Sequence, residues 1–117
     1  LEDIDKAKSY YEKAIELDPE MANAYNNIAS LILSEDQKIT EEMNKLGMSA
    51  ADTKKYDELK AKKIEIIKEA IPYLQKTIEL DTSNIRAMKY LKNIYMITEN
   101  TEKVKEIDAI IKEAENE

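Results

Sequence analysis

Carboxylates are the side chains of this sequence whose number and spacing could support chemistry. They are adjacent at Glu41 and Glu42, one residue apart at Asp3 and Asp5, and clustered in the tail Glu113–Glu117. Two carboxylates can perform acid and base catalysis, or hold a metal ion, when an enclosed site brings them together. These carboxylates fall on predicted solvent-facing helix surfaces or at chain ends, so we interpret them as solvated surface charges.

Nucleophilic, metal and phosphate chemistry lack the residues they need. The chain has no cysteine and no histidine, so its serines and threonines have no imidazole to activate them. A single glycine cannot form a glycine-rich phosphate loop. The sequence therefore predicts a protein that is not an enzyme and has no cofactor and no metal. A catalytic role would require a further region before Leu1.

Composition restricts the fold and the partners. The net charge of −7 disfavours nucleic acid, and no apolar run reaches the roughly 18 residues of a membrane span. One glycine and two prolines, with 37% charged and 43% hydrophobic residues, favour one all-α domain with its own core. As given, we expect the chain to be soluble.

One ten-residue phrase occurs twice. YYEKAIELDP, Tyr10 to Pro19, returns as YLQKTIELDT, Tyr73 to Thr82, 63 positions later (73 minus 10). The first copy reads as a helix that stops at Asp18-Pro19, because proline disfavours helical geometry in the residue before it. A second apolar helical face follows at Ala24, Tyr25, Ile28, Leu31 and Ile32.

These residues resemble a known family. The pattern A-x-x-x-Y-x-x-A-x-x-L-x-P, Ala7 to Pro19, followed by A-x-A-Y-x-N-I-A, Ala22 to Ala29, is similar to the tetratricopeptide repeat (TPR). The second copy is looser, with Thr82 in place of the proline. The resemblance implies antiparallel helical hairpins stacked in a short right-handed α-solenoid. It also implies a scaffold that binds proteins or peptides.

The spacing of the two copies predicts an elongated hairpin. Units of this family run about 34 residues, so about 29 extra residues lie inside one unit. If the chain turns at Gly47, Met48 and Ser49, the facing positions pair Leu46 with Asp52, Met43 with Tyr56, Ile39 with Leu59, Ile32 with Ile66, and Ile28 with Ala70. The same register pairs Glu35 with Lys63. We predict two arms whose outer half projects as an antiparallel coiled coil.

Local signals predict the helix ends. Gly47 suits a left-handed helix terminus, and Ser49 with Asp52 resembles a capping box that opens a helix from Ala50 to Leu80. Pro72 predicts a bend near Lys68 to Ile71. Farther on, Ser83 or Asn84 caps a helix ending near Thr98. Asn100 is expected to take a left-handed turn and Thr101 to cap the last helix, whose inward face is Val104, Ile107, Ile111 and Ala114.

The predicted organisation is one domain of five helices. Residues 1–18 form the second helix of a truncated repeat, 21–81 the elongated hairpin, and 84–116 the C-terminal repeat. The first helix lacks the partner that should precede it, which exposes Ile4, Ala7, Tyr11 and Ala14. We expect either a longer array or a homo-oligomer through this first helix or through the hairpin tip. The tyrosines and methionines are expected to face mostly inward, and no side is assigned to Met48 and Tyr56 near the hairpin tip.

The resemblance also places the partner surface. In this family the first helix of each unit lines the inner groove. The corresponding positions here are Asn23, Asn26, Asn27, Ser30 and Leu33, then Arg86, Lys89, Asn93 and Met96. Asn27 matches the asparagine with which chaperone-binding members hold a peptide, and Lys89 with Arg86 could add positive charge.

Two functions therefore stand beside each other at the level of sequence. One is a non-catalytic scaffold for a protein or peptide in the groove. The other is a structural module that self-associates through the hairpin or the open first helix. The resemblance leaves the location open between cytoplasm and periplasm.

Overall fold

Five helices follow one another in the computed structural model, which describes the backbone of residues 2–116 and the side chains of residues 5–116. They are α1 (Glu2–Leu17), α2 (Ala22–Asn44), α3 (Ala50–Leu80), α4 (Ile85–Ile97) and α5 (Thr101–Glu115). No strand occurs among the described residues. The expected all-α architecture with one elongated hairpin is confirmed, whereas the expectations for Leu1, the side chains of Asp3 and Ile4, and Glu117 lie outside the described residues.

Each helix packs against the next one, and α2 against α3 is the most extensive pair. The resulting molecule is flat, with extents of 50 × 35 × 17 Å. Its core lies where α2, α3, α4 and α5 meet. The most buried large side chains include Ile28, Ile67, Leu74, Met88 and Leu91, each 0 to 1% exposed. Tyr11 and Ile15 of α1 cover the same core from the other side.

The turns that separate the helices are held by side chains. After Pro19, the Tyr25 hydroxyl donates to the Pro19 carbonyl at 3.0 Å, which fastens the first turn to α2. Asn84 caps α4 by accepting from the Ala87 N–H at 3.0 Å, as one of the two predicted caps. These bonds use N–H and carbonyl groups that a helix end leaves without partners.

The tip of the long hairpin confirms one predicted cap and corrects another. Ser49 accepts from the Asp52 N–H at 3.1 Å, as expected, but the Asp52 carboxylate accepts from the Gly47 N–H at 2.8 Å, farther back along the chain. Gly47 is not left-handed. The expectation of a left-handed Gly47 was wrong because α2 already ends at Asn44, with a right-handed Lys45 after it.

The left-handed residue lies instead at the end of α4. Glu99 has φ 57°, and its neighbour Asn100 is an N-cap that accepts from the Lys103 N–H at 3.3 Å. The prediction had assigned the left-handed turn to Asn100 and the cap to Thr101, one position too late. The chain reverses at Glu99 because the Asn100 N–H reaches back to the Tyr95 carbonyl at 2.9 Å.

The polar layer of the hairpin differs from its prediction. Lys63 donates to the Thr40 hydroxyl at 2.6 Å and lies 3.4 Å from the Asp36 carboxylate, so it does not pair with Glu35. Glu35 instead borders a hollow with Asp5, Lys62 and Ile66 on the α1 side. Neighbouring residues of a helix point about 100° apart, so Glu35 and Asp36 face opposite flanks of the seam. The pairing of position numbers therefore predicted the correct turn of α2 opposite Lys63, but it chose Glu35 on that turn where the structure has Asp36.

The open face of α1 is also rotated from its prediction. Tyr11 packs against the core, whereas Tyr10 is 73% and Leu17 is 81% exposed. Helix α1 has two apolar stripes: Tyr11 and Ile15 of one stripe pack against the core, and Ala7 beside them is half-buried. Ala14 lies at the border, half-buried.

The expectation for tyrosines and methionines holds only in part. Tyr95, Met43 and Met88 are buried. A larger set remains exposed to solvent: Tyr10, Met21, Met48, Tyr56, Tyr90 and Met96. Apolar residues at helical spacing can serve either a core or a surface, and periodicity alone does not distinguish the two.

Candidate functional site

A cleft of about 340 Å³ runs between α2 and α4. Its apolar floor combines Leu33 of α2 with Tyr90 of α4, and Tyr90 is 43% exposed. Polar side chains surround this floor: Ser30, Ser34, Asp36, Gln37 and Asn93. A small apolar base with polar groups around it is a typical arrangement for binding a polypeptide segment.

Buried neighbours hold the cleft residues in place. Ile32 of α2 and Leu91 of α4 are 1 to 2% exposed, and their burial fixes the rotation of both helices. Ser30, Leu33 and Gln37 then follow at steps of three and four on the adjoining face of α2. The cleft is therefore a consequence of core packing and does not depend on a loop.

The amide side chains of the cleft are available to a ligand. Gln37 and Asn93 are exposed and make no side-chain hydrogen bond to another described residue. Ser34, in contrast, donates to the Leu31 carbonyl at 2.6 Å. Two free amides on opposite walls can each donate to and accept from a peptide main chain.

The structure brings together only part of the predicted groove. Ser30, Leu33 and Asn93 line the cleft. Asn23, Asn26 and Asn27 lie on the same side of α2 but nearer its N-terminus, outside the cleft lining, with Asn23 exposed and the other two half-buried. Their spacing places them on a continuation of the same face.

The two cations predicted for the groove, Arg86 and Lys89, point in different directions. Lys89 lies 3.5 Å from Glu115 of α5, so it points away from the cleft, and both side chains are largely exposed. Arg86 lies over the Tyr90 ring, 6.0 Å from its centroid. Met96 is 57% exposed and does not line the cleft. Of the two predicted cations, only Arg86 lies beside the cleft.

Tyr90 is the largest cleft residue that sequence reasoning missed, and Ser34, Asp36 and Gln37 were missed as well. Tyr90 stands 63 positions after Asn27 (90 minus 27), at the equivalent place in the second copy of the repeat. Assigning tyrosines to the core left it out of the predicted groove. The repeat shift itself carried the signal that would have found it.

A second hollow, of about 240 Å³, lies on the flank of the hairpin beyond the end of α4. Its apolar lining includes Met43, Tyr56, Ile64 and Ile97, and Lys60 borders it. Asp36 lines the first cleft, whereas Thr40 and Lys63 line this hollow. The Lys63 layer thus separates two adjacent hollows along the same side of α2.

One titratable group in the described part of the chain has a clearly displaced pKa. Lys103 on α5 is exposed, and the Glu106 carboxylate, 3.2 Å away, raises its pKa by hydrogen bonding and charge attraction. A raised lysine pKa favours the folded state at neutral pH, and the contribution is lost as alkaline pH rises through that pKa. This pair lies outside the cleft. Among the side chains of residues 5–116, no three acidic groups converge as metal ligands.

Comparison with known families bears on the first helix. The family model described as Tetratricopeptide repeat matches residues 1–21, which include α1 and the turn at Pro19. This segment of the chain is similar to a tetratricopeptide repeat. The resemblance predicted from Ala7, Tyr11, Ala14, Leu17 and Pro19 is thereby confirmed.

The tetratricopeptide repeat is in general a non-catalytic scaffold, and the match supports a role in protein interactions in that general sense. No curated protein matches the chain. No helix among the described residues is both long enough and apolar enough to cross a membrane.

Proposed function

We propose that the cleft between α2 and α4 binds an extended segment of a partner protein. The observation that carries the proposal is the exposed Tyr90 ring beside Leu33. On the two walls, the amide side chains of Gln37 and Asn93 make no hydrogen bond to another described side chain. An apolar side chain of the partner would cover the ring. The two amides would bond to its main chain.

The charges favour capture of main chain over capture of a terminal carboxylate. A carboxylate clamp built on the family pattern would need Asn27, Arg86 and Lys89 directed to one point. Lys89 is directed to Glu115, and the Asp36 carboxylate borders the cleft. An anionic end would meet one cation and one anion there. We therefore propose a neutral or basic segment as the ligand.

The proposal treats residues 1–117 as one repeat domain. In it, α1 is the second helix of a truncated repeat, α2 with α3 is the elongated hairpin, and α4 with α5 is the C-terminal repeat. The hollow beyond α4 extends the path available to a long ligand, because the hairpin continues past Ile97.

Selection of displayed peptides on the wild-type chain, followed by measurement of their Kd, tests the cleft. Tyr90→Ala is expected to weaken the selected peptides tenfold or more, because aromatic side chains at the centre of an interface carry much of the binding energy. Asn93→Ala is expected to weaken them about threefold to tenfold, since it removes one amide contact.

Controls separate the cleft from the rest of the surface. Met48→Ala removes a fully exposed apolar side chain at the hairpin tip and is expected to leave Kd unchanged. Asn27→Ala and Lys89→Glu test the positions carried over from the family. Peptides that bind Tyr90→Ala and Asn93→Ala as tightly as they bind the wild type would refute the cleft.

A second candidate is a structural module that self-associates. It is favoured by the exposed Tyr10 and Leu17 on α1 and by Met48, which is 100% exposed at the hairpin tip. Light scattering at high protein concentration tests this candidate, and a strict monomer removes it.

A further inference from the structure

The open face of α1 has a regular composition. Lys6, Tyr10, Lys13 and Leu17 follow one another at steps of four, three and four, and with Ser9 and Ala14 they line a hollow of about 420 Å³. Tyr10 and Leu17 are 73% and 81% exposed. This face, hereafter the α1 face, combines Tyr10 and Leu17 with the cations Lys6 and Lys13, and Asp5, Glu12 and Glu16 lie along one edge of it.

The outer side of α5 has the same spacing with the opposite charge. Glu102, Glu106, Ala109 and Glu113 also follow at steps of four, three and four, and all four are exposed. Ile110, 42% exposed, adds an apolar side chain along one edge. These five residues form the α5 face. Ile107 and Ile111 hold it outward because they are buried against the rest of the fold.

The charges of the two faces are largely free to pair with a partner. Among the described side chains, Lys13, Glu102 and Glu113 take part in no ion pair. Glu106 is shared with Lys103, 3.2 Å away. The cations Lys105 and Lys112 lie along the edge of α5 opposite Ile110, by the rotation of 100° per residue. The α5 face is therefore acidic over its centre, with Lys105 and Lys112 along one edge and Lys103 beside Ile110 along the other.

We infer that the α1 face of one copy of this chain docks on the α5 face of a second copy. This inference rests on the self-association that is the second candidate function, and it names the two surfaces that meet. Lysines of α1 lie against glutamates of α5, and Tyr10 lies against Ala109 and Ile110. Because both faces repeat at the same spacing, two antiparallel helices laid side by side can match Lys6 with Glu113, Tyr10 with Ala109 and Lys13 with Glu106.

The contact is head to tail, because its two sides are different surfaces of the chain. Such a contact leaves a free α1 face at one end and a free α5 face at the other, so copies can keep adding unless the geometry closes a ring. Each contact involves few side chains, and we expect a dissociation constant on the order of 100 µM. Exposed ion pairs are screened by salt, so association weakens at high ionic strength.

Sedimentation equilibrium of the full chain tests the inference. For the wild type, the average mass at low salt is expected to rise above 13.5 kDa with concentration and to return towards it at high salt. Lys6→Glu with Lys13→Glu reverses the α1 face, and Glu102→Lys with Glu113→Lys reverses the α5 face. Each double variant alone is expected to stay a monomer, with association weakened at least tenfold. Circular dichroism checks that both remain folded.

Mixing the two double variants gives the sharpest readout. Acidic α1 faces then meet basic α5 faces, and native α1 faces meet native α5 faces, so the equimolar mixture is expected to associate although neither component does. The α5 variant also distinguishes docking of the two faces from a general effect of net charge. It changes the net charge from −7 to −3 (two glutamates become two lysines, a change of +4), which lowers general repulsion, yet the inference expects it to associate less.

Matched reversals elsewhere serve as controls. Lys54→Glu with Lys55→Glu on α3, and Glu41→Lys with Glu58→Lys on the hairpin, make the same charge changes at exposed positions. Both are expected to associate as the wild type does, apart from the small effect of net charge.

The outcomes separate this inference from the broader candidate. A wild-type chain that stays monomeric at all concentrations overturns both. Self-association that persists in the α5 variant overturns the docking on α5 while self-association itself stands. A mixture that fails to associate also overturns the pairing of the two faces.

Discussion

The inner and outer halves of the α2–α3 hairpin share one apolar seam but differ in how it is covered. In the inner half, Ile28, Ile67 and Leu74 are 0 to 1% exposed, because α1, α4 and α5 close over the helix pair. In the outer half the side chains are more exposed: Ile39 is 7%, Met43 is 9% and Tyr56 is 42% exposed. Periodicity is the same in both halves, so the number of neighbouring helices sets the burial.

This difference assigns the two halves different sources of stability. The inner half is stabilised by apolar burial, which contributes roughly 25 cal/mol per Å². The outer half buries less and adds a polar layer at Lys63 and two capping bonds at the tip. We therefore expect substitutions to cost less as they move outward along the rod.

The largest expected effect compares one buried residue from each half. Ile67→Ala should lower the free energy of unfolding by about 3 to 4 kcal/mol, because the cavity is enclosed on all sides. Met43→Ala should cost about 1 to 2 kcal/mol, since the two-helix rod can close around the gap. Urea unfolding at 25 °C measures both. Met48→Ala, at the exposed tip, is the control, and equal losses for Ile67 and Met43 would contradict the comparison.

A loss of stability of intermediate size is expected at the polar layer around Lys63, which lies between the two halves. Lys63→Ala should cost about 1 to 2 kcal/mol, because it leaves Asp36, whose side chain is 20% exposed, without its cation and removes the bond to Thr40. Glu35→Ala should change stability by less than about 0.5 kcal/mol. Thermal and urea unfolding provide the measurement. A loss for Glu35→Ala as large as that for Lys63→Ala would restore the pairing that the register first suggested.

The smallest effects are expected at the tip. Ser49→Ala should cost about 1 kcal/mol, because α3 loses the acceptor for the Asp52 N–H. Gly47→Ala should lie within about 0.5 kcal/mol: its backbone is not left-handed, and the added methyl meets only the end of the Asp52 side chain, at 3.1 Å. A loss well above 1 kcal/mol for Gly47→Ala would indicate a left-handed glycine after all. Proteolysis near residues 45–49 offers an independent readout.

Much of the fold followed from short-range signals in the sequence. Asp18-Pro19 ended α1, Ser49 opened α3 at Ala50, and Asn84 capped α4, because a cap involves residues two or three positions apart. The apolar steps of three and four identified five helices for the same reason. Of the groove, the sequence supplied Ser30, Leu33 and Asn93, which share a helical face with their buried neighbours.

Helix rotation was decided by tertiary packing. Whether α2 presents Glu35 or Asp36 to Lys63, and whether α1 buries Tyr10 or Tyr11, depends on which ridge of side chains fits the neighbouring helix. The direction of Lys89 towards Glu115 likewise required α5 to be in place. A helix fixes the order of its side chains by local hydrogen bonds, but its rotation is set by contacts with residues far away in the chain. The sequence alone therefore determined the helices and most of their ends, and the assembled structure decided which faces remain open for a partner.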